Sequence, residues 1–146
     1  NALKVVVKNG VPSGRWYTGG GIYRDVNLMI AGRLHLVPDS VQLAAIEVED
    51  DQAIIRAKST IAYTGIGIRE ITLCTELMDA EGNVVAADEM SVTVEEHSEQ
   101  EYQQKMYVPN PNRWDAENPY LYTYRTYIMT TELSEPQNLR ILRRRG

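Results

Sequence analysis

Apolar and polar residues alternate with a period of two along most of the chain, and no stretch shows the three-to-four spacing of an amphipathic helix. Ile55, Ala57, Ser59, Ile61 and Tyr63 fall on one face of a predicted strand. Ile71, Leu73, Thr75 and Leu77 do the same further on, as do Met90, Val92 and Val94. The opposite faces carry Arg56, Lys58, Thr72, Glu76, Thr93 and Glu95. The pattern predicts strands over 3–7, 22–30, 41–48, 54–63, 70–78, 84–94, 102–108, 121–129 and 138–142. Turn chemistry separates them: Asn9-Gly10, then 49–52, 79–83 and 109–112. Roughly seven short strands with a turn signal every ten or so residues is the pattern of an all-β, immunoglobulin-like β-sandwich. Ala31-Gly32 follows the second strand as a pair of small residues, and the domain boundary is expected there.

A length of 146 residues suits one domain, or one domain and part of another, and 43% hydrophobic residues are enough for a core. The single cysteine, Cys74, excludes an intrachain disulfide, so the sandwich must hold by packing alone; its place in a strand predicts a buried thiol rather than a nucleophile. A net charge of −5 argues against a nucleic-acid or anionic-membrane binder, and the basic tail Arg140, Arg143, Arg144 and Arg145 is expected to be a strand or linker. No apolar run is long enough for a membrane-spanning helix. Nine Tyr stand beside two Trp and no Phe. Tyrosine needs a partner for its hydroxyl, which places these rings at sheet rims, a position also suited to sugar or interdomain contacts.

Candidate chemistry is sparse. Glu47, Glu49, Asp50 and Asp51 are expected at a solvated hairpin end, and Glu95, Glu96, His97, Glu99 and Glu101 at strand ends rather than around a metal. His35 has no partner nearby in sequence to make it a base. Gly19-Gly20-Gly21 leads into a predicted strand and no Lys-Ser/Thr follows, so it is not a phosphate loop. No catalytic residue, metal ligand or cofactor site is expected in this chain.

Two segments carry a family resemblance. Arg15-Trp16-Tyr17-Thr18-Gly19-Gly20-Gly21-Ile22-Tyr23-Arg24-Asp25-Val26 resembles the stretch closing the N-terminal jelly-roll domain of glycoside hydrolase family two enzymes, β-galactosidases especially. Pro111-Asn112-Arg113-Trp114-Asp115-Ala116-Glu117-Asn118-Pro119-Tyr120-Leu121-Tyr122 resembles the W-x-x-x-x-P-x-L-Y segment late in the immunoglobulin-like domain that follows it. Asp79–Val85 looks like a hairpin of the same domain, though such hairpins are common elsewhere. The resemblance implies that 1–31 closes a jelly roll, 32–133 is the sandwich, and 134–146 leads toward a (β/α)₈ barrel. On that reading Asn1 is a point inside a longer protein. The family's reaction is retaining hydrolysis of β-glycosides by two glutamates. They sit on the barrel, for which this chain has no room.

The partners implied are the missing jelly-roll and barrel domains and, through the parent, a β-glycoside substrate. Arg15, Trp16, Tyr17 and Arg24 are expected at the substrate rim or an interdomain seam. Trp114, Asn118 and Tyr120 are expected to anchor a loop. Some β-galactosidases place a sugar- and sodium-binding aspartate just before the tryptophan of the first motif; Gly14-Arg15 stands there in this chain, and that role does not carry over. A stand-alone carbohydrate-binding or adhesion sandwich is the alternative function, and the compartment stays open, as does galactosidase against glucuronidase or mannosidase specificity.

Overall fold

The computed structural model describes residues 4–8, 21–22 and 26–130, and the backbone of 140–143. The chain divides into two compact units, 1–29 with 141–146, and 30–140. A two-stranded sheet pairs β1 (Asn27–Ile30) with β9 (Arg140–Arg143). Two expectations shorten here. The run 4–8 forms no strand, and the strand predicted over 22–30 begins at Asn27.

The larger unit consists of two antiparallel sheets and contains no helix among the described residues. In the first sheet β4 (Gln52–Tyr63) is the spine. Along its whole length it pairs with β7 (Ser98–Pro109), from Gln52 opposite Pro109 to Tyr63 opposite Ser98. Its other edge is shared by β2 (Leu34–Leu36) and β3 (Gln42–Val48). Between them Pro38 offers no N–H, Asp39 turns at φ 59°, and the Ser40 hydroxyl accepts the Thr60 N–H at 3.1 Å. The second sheet runs β6 (Val84–Val94), β5 (Arg69–Met78), β8 (Thr123–Thr130), with β5 in the centre.

The inner faces follow the alternation that the sequence predicts. One cluster joins Leu34, Ile61 and Tyr63 of the first sheet to Ile71, Leu73, Val94 and Ile128 of the second. The other joins Ala53, Ala57, Met106 and Val108 to Leu77 and Ala86. Between the two lies a polar belt. Gln104 of β7, buried, reaches across the sandwich: its amide donates to Leu73 O (3.2 Å), Asp88 O (2.9 Å) and Asp88 Oδ2 (3.0 Å). Its carbonyl accepts the Thr75 hydroxyl at 2.8 Å, and that hydroxyl also meets Thr126 Oγ1 at 3.1 Å. Thr75 lies opposite both Asp88 and Thr126 in the second sheet, so these side chains share one level of the core. A buried polar group without a partner costs more than the net gain from one that is paired, and no buried side-chain nitrogen or oxygen among the described residues lacks one.

At one end of the sandwich the β4–β5 loop turns tightly on Tyr63. A Cβ on Gly65 would lie 2.3 Å from the Tyr63 ring, which is buried and cannot swing away. Gly65→Ala is therefore expected to cost about 1–3 kcal/mol by overpacking, read as a lower urea midpoint at an unchanged slope.

Candidate functional site

The segment from Pro109 to Tyr122 is tied to its neighbours at almost every step. Asn110 turns the chain at φ 45° and donates its N–H to Asp51 O at 2.7 Å. Arg113 pairs with the Asp50 carboxylate on the β3–β4 hairpin. Asp115 Oδ1 accepts the N–H groups of Glu117 (2.8 Å) and Asn118 (2.6 Å), and Asn118 O accepts those of Asp115 (3.2 Å) and Tyr120 (2.8 Å). The Tyr120 hydroxyl accepts the Ala80 N–H at 3.1 Å, and the Tyr122 hydroxyl accepts the Asn112 N–H at 2.8 Å. Their rings meet edge to face, with centroids 5.0 Å apart. The 79–83 hairpin that Tyr120 touches is itself wound around Asp79, whose carboxylate accepts from Glu81, Asn83 N–H and the Asn83 side chain. That last bond is the largest of the effects that hold the Asp79 carboxyl below its usual range.

The structure thus brings together Asn118, through its backbone carbonyl, and Tyr120, through its hydroxyl. Trp114 sits in the same loop with 63% of its surface exposed, so its neighbours hold the loop and the indole is presented outward. Asp115 and Tyr122 were missed by sequence reasoning; the Asp-x-x-Asn spacing of 115–118 was a usable turn signal. Arg15, Trp16, Tyr17 and Arg24 lie outside the described residues.

A second cluster occupies the outer face of the second sheet. Arg125 donates to Glu76 Oε2 through Nε (3.0 Å) and Nη2 (2.6 Å), and the Tyr127 hydroxyl donates to Glu76 Oε1 at 2.9 Å. These contacts, Arg125 first, hold the Glu76 carboxyl below its usual range. The bond to Glu76, with burial, pushes the Tyr127 phenol up to about 12. Cys74 lies between Tyr127 and Glu89 on the same face; burial and then the Glu89 charge push its thiol up, which makes it a poor nucleophile.

A pH prediction follows from these directions. Glu76, depressed in the folded state, adds stability above the ordinary carboxylate range that is lost as pH falls through its folded value. Tyr127, raised, adds stability below the ordinary phenol value that is lost as pH rises toward about 12. Glu76→Gln should flatten the acid side of the stability–pH curve. It should also return one late-titrating tyrosinate absorbance toward the other tyrosines.

Three further acids are engaged in structure. Glu101 pairs with Lys58 at 3.0 Å, Glu96 accepts the Gly67 N–H at 3.0 Å, and Asp88 belongs to the core belt. His35 Nδ1 lies 2.9 Å from Gly32 O. Among the described residues no three His, Cys, Asp or Glu side chains gather as a metal site requires. An open groove of about 450 Å³ crosses the second sheet between Glu70, Thr72, Ser91, Thr93 and Met129. Among the described residues that line it, Glu70 is the one carboxylate.

Such a molecule is an antiparallel β-sandwich module whose acids and tyrosines brace loops and strands. The model of the glycosyl hydrolases family 2 matches residues 39–136, and the chain belongs to that family. It is 35% identical over 133 residues to the β-galactosidase BoGH2A of Bacteroides ovatus, a match covering 90% of this chain and 16% of that protein. It is 30% identical over 132 residues to a putative β-glucuronidase of Formosa agariphila, covering 88% of this chain and 12% of that protein. The chain therefore spans only about a sixth or less of the curated relatives it matches. Its fold is similar to that of a family 2 glycosyl hydrolase from Bacteroides cellulosilyticus, with TM-score 0.69 and 21% identity over 77% of this chain and 15% of that one. A putative β-galactosidase from Bacteroides fragilis gives 0.68 and 18% identity over 77% of this chain and 17% of that one. Among the described residues no helix is long and apolar enough to cross a membrane.

Proposed function

We propose that this chain is the non-catalytic linking sandwich of a multidomain β-galactosidase-type hydrolase, with residues 1–31 closing a jelly roll, 32–133 forming the sandwich and 134–146 leading to the catalytic barrel. The observation that carries the reading is the conjunction of a sandwich, without helix among the described residues, with a match to 16% of a β-galactosidase. The side chains agree with it: Asp50, Glu76, Asp79, Glu96 and Glu101 hold cations or backbone, and are not poised across a cleft. The higher identity to the β-galactosidase than to the putative β-glucuronidase supports a galactoside substrate for the parent. The task of such a module is to keep the flanking domains in fixed relation, since a displacement of about 1 Å near an active site can cost on the order of 100-fold in rate. A core crossed by a hydrogen-bonded belt suits that task, because it fixes how one sheet sits on the other. Arg15, Trp16, Tyr17, Arg24 and the presented Trp114 are proposed to meet neighbouring domains of the parent.

Sequencing the source gene on both sides of this segment tests the proposal. It predicts jelly-roll strands before residue 1 and, after residue 146, alternating strands and helices long enough for a barrel. A stop codon soon after residue 146 would contradict it.

A further inference from the structure

The outer face of the first sheet carries an arrangement that packing does not account for. On β7 the buried Gln104, Met106 and Val108 alternate with Gln103, Lys105 and Tyr107, which face solvent. The ladder sets Lys105 directly opposite Arg56 of β4, and Tyr107 opposite Ile54. Two cations facing each other across a ladder repel, and such a pair is unexpected in a chain of net charge −5. No carboxylate is bonded to either: Arg56 and Lys105 make no ion pair or side-chain hydrogen bond among the described residues. Glu101 is spent on Lys58 and Gln103; its carboxyl is held below the usual range first by the Lys58 bond and least by the Arg56 charge. Glu47 lies opposite Ile54 and Glu99 opposite Ala62, at other levels of the sheet. On the far side of Arg56 stands Ala44, too short to cover it.

Beside the cations lies an exposed ring. Tyr107 is 59% exposed, and its hydroxyl has no hydrogen-bond partner among the described residues, whereas those of Tyr63, Tyr120, Tyr122 and Tyr127 are used within the fold. Successive levels on one face of a strand are about 7 Å apart, so a ring stacked on Tyr107 has its substituents within reach of the Lys105 ammonium and the Arg56 guanidinium. An aromatic face beside two unspent cations recognises a molecule that joins a flat C–H face to a carboxylate. A hexuronic acid unit of an acidic saccharide has both; its neutral counterpart lacks the second.

We propose that Arg56, Lys105 and Tyr107 form a binding site for a uronic acid unit of a saccharide, with the carboxylate held by the two cations and the sugar ring on the tyrosine. The choice of a saccharide among anionic ligands rests on the reading of the chain as part of a glycoside hydrolase. Calorimetric titration of the 146-residue chain with a β-linked tetramannuronate tests it, beside the neutral mannotetraose of the same linkage, which carries a hydroxymethyl group in place of each carboxylate. The acidic sugar should bind at least about tenfold more tightly. K105E sets a carboxylate opposite Arg56, so it should abolish that preference while leaving the urea midpoint unchanged or higher. Y107A should weaken binding about threefold. No binding, equal binding of the two sugars, a preference that survives K105E, or a lowered midpoint that shows the cations to be structural would overturn the site and leave the linking role standing. An oligothymidylate of equal charge that binds as tightly would overturn the saccharide as ligand. Loss of binding in the full-length parent would show the face to be covered by another domain and likewise overturn the proposal. A stop codon soon after residue 146 would overturn the linking role without moving any of these affinities.

Discussion

Replacing Gln104 with alanine should destabilise the sandwich by about 3–5 kcal/mol, although the residue is neutral and sits in a run of polar residues. The substitution removes four hydrogen bonds that cross between the sheets, to Leu73, Asp88 and Thr75. The Thr75 hydroxyl keeps Thr126, but the half-buried Asp88 carboxylate loses its donor, and a cavity opens beside Ala57, which faces Gln104 across the ladder. Gln104→Leu fills the space without restoring any bond, so it should recover only the packing share. Chemical denaturation of the three proteins separates the two contributions. If alanine costs less than about 1 kcal/mol, comparable with an exposed polar site, the belt does not hold the sheets together.

The second large effect is expected at Leu73, which is 0% exposed at the centre of the second sheet. It packs with Ile61 and Tyr63 from the facing sheet and with Ile71, Val94 and Ile128 from its own. Leu73→Ala should cost about 3–4 kcal/mol, the transfer of the lost carbons plus the cavity, because neighbours on both sheets are held by ladders and cannot close in. Its backbone carbonyl also accepts from Gln104, so the two substitutions should not be additive. A double-mutant cycle read by thermal or urea unfolding measures that coupling, and strict additivity would contradict the proximity described here. Lys58→Ala, which removes only a surface pair with Glu101, is the control and should change stability by less than about 1 kcal/mol.

Most of the strands were legible because a half-buried strand announces itself by alternation. The inward sets on β4, β5 and β6 were visible as Ile55 to Tyr63, Ile71 to Leu77 and Met90 to Val94. β2 was not: three residues are too short to show a period, and its end is set by Pro38, Asp39 and the Ser40 hydroxyl. The polar belt was hidden for a different reason. Ser59 and Thr75 fell in phase with the inward faces, and Gln104 stands in phase with Met106 and Val108 on β7, but spacing does not show which groups of the facing sheet its amide meets. The loop segment was partly legible. Tyr120 stood in a recognisable motif, whereas the partner of its hydroxyl, the Ala80 N–H, is 40 residues away and cannot be read from spacing. Trp114 shows the limit of motif reading, because an aromatic that looks like an anchor is the side chain the loop leaves exposed.

The central claim is that the sandwich contributes architecture and the parent's barrel contributes chemistry. Its most direct test is turnover of nitrophenyl β-galactoside by the purified 146-residue chain beside the full-length parent at equal molar concentration. The account predicts hydrolysis by the parent and none above buffer by the chain, even with the chain folded and monomeric. Turnover by the chain that persists through successive purification steps and scales with its concentration would contradict it.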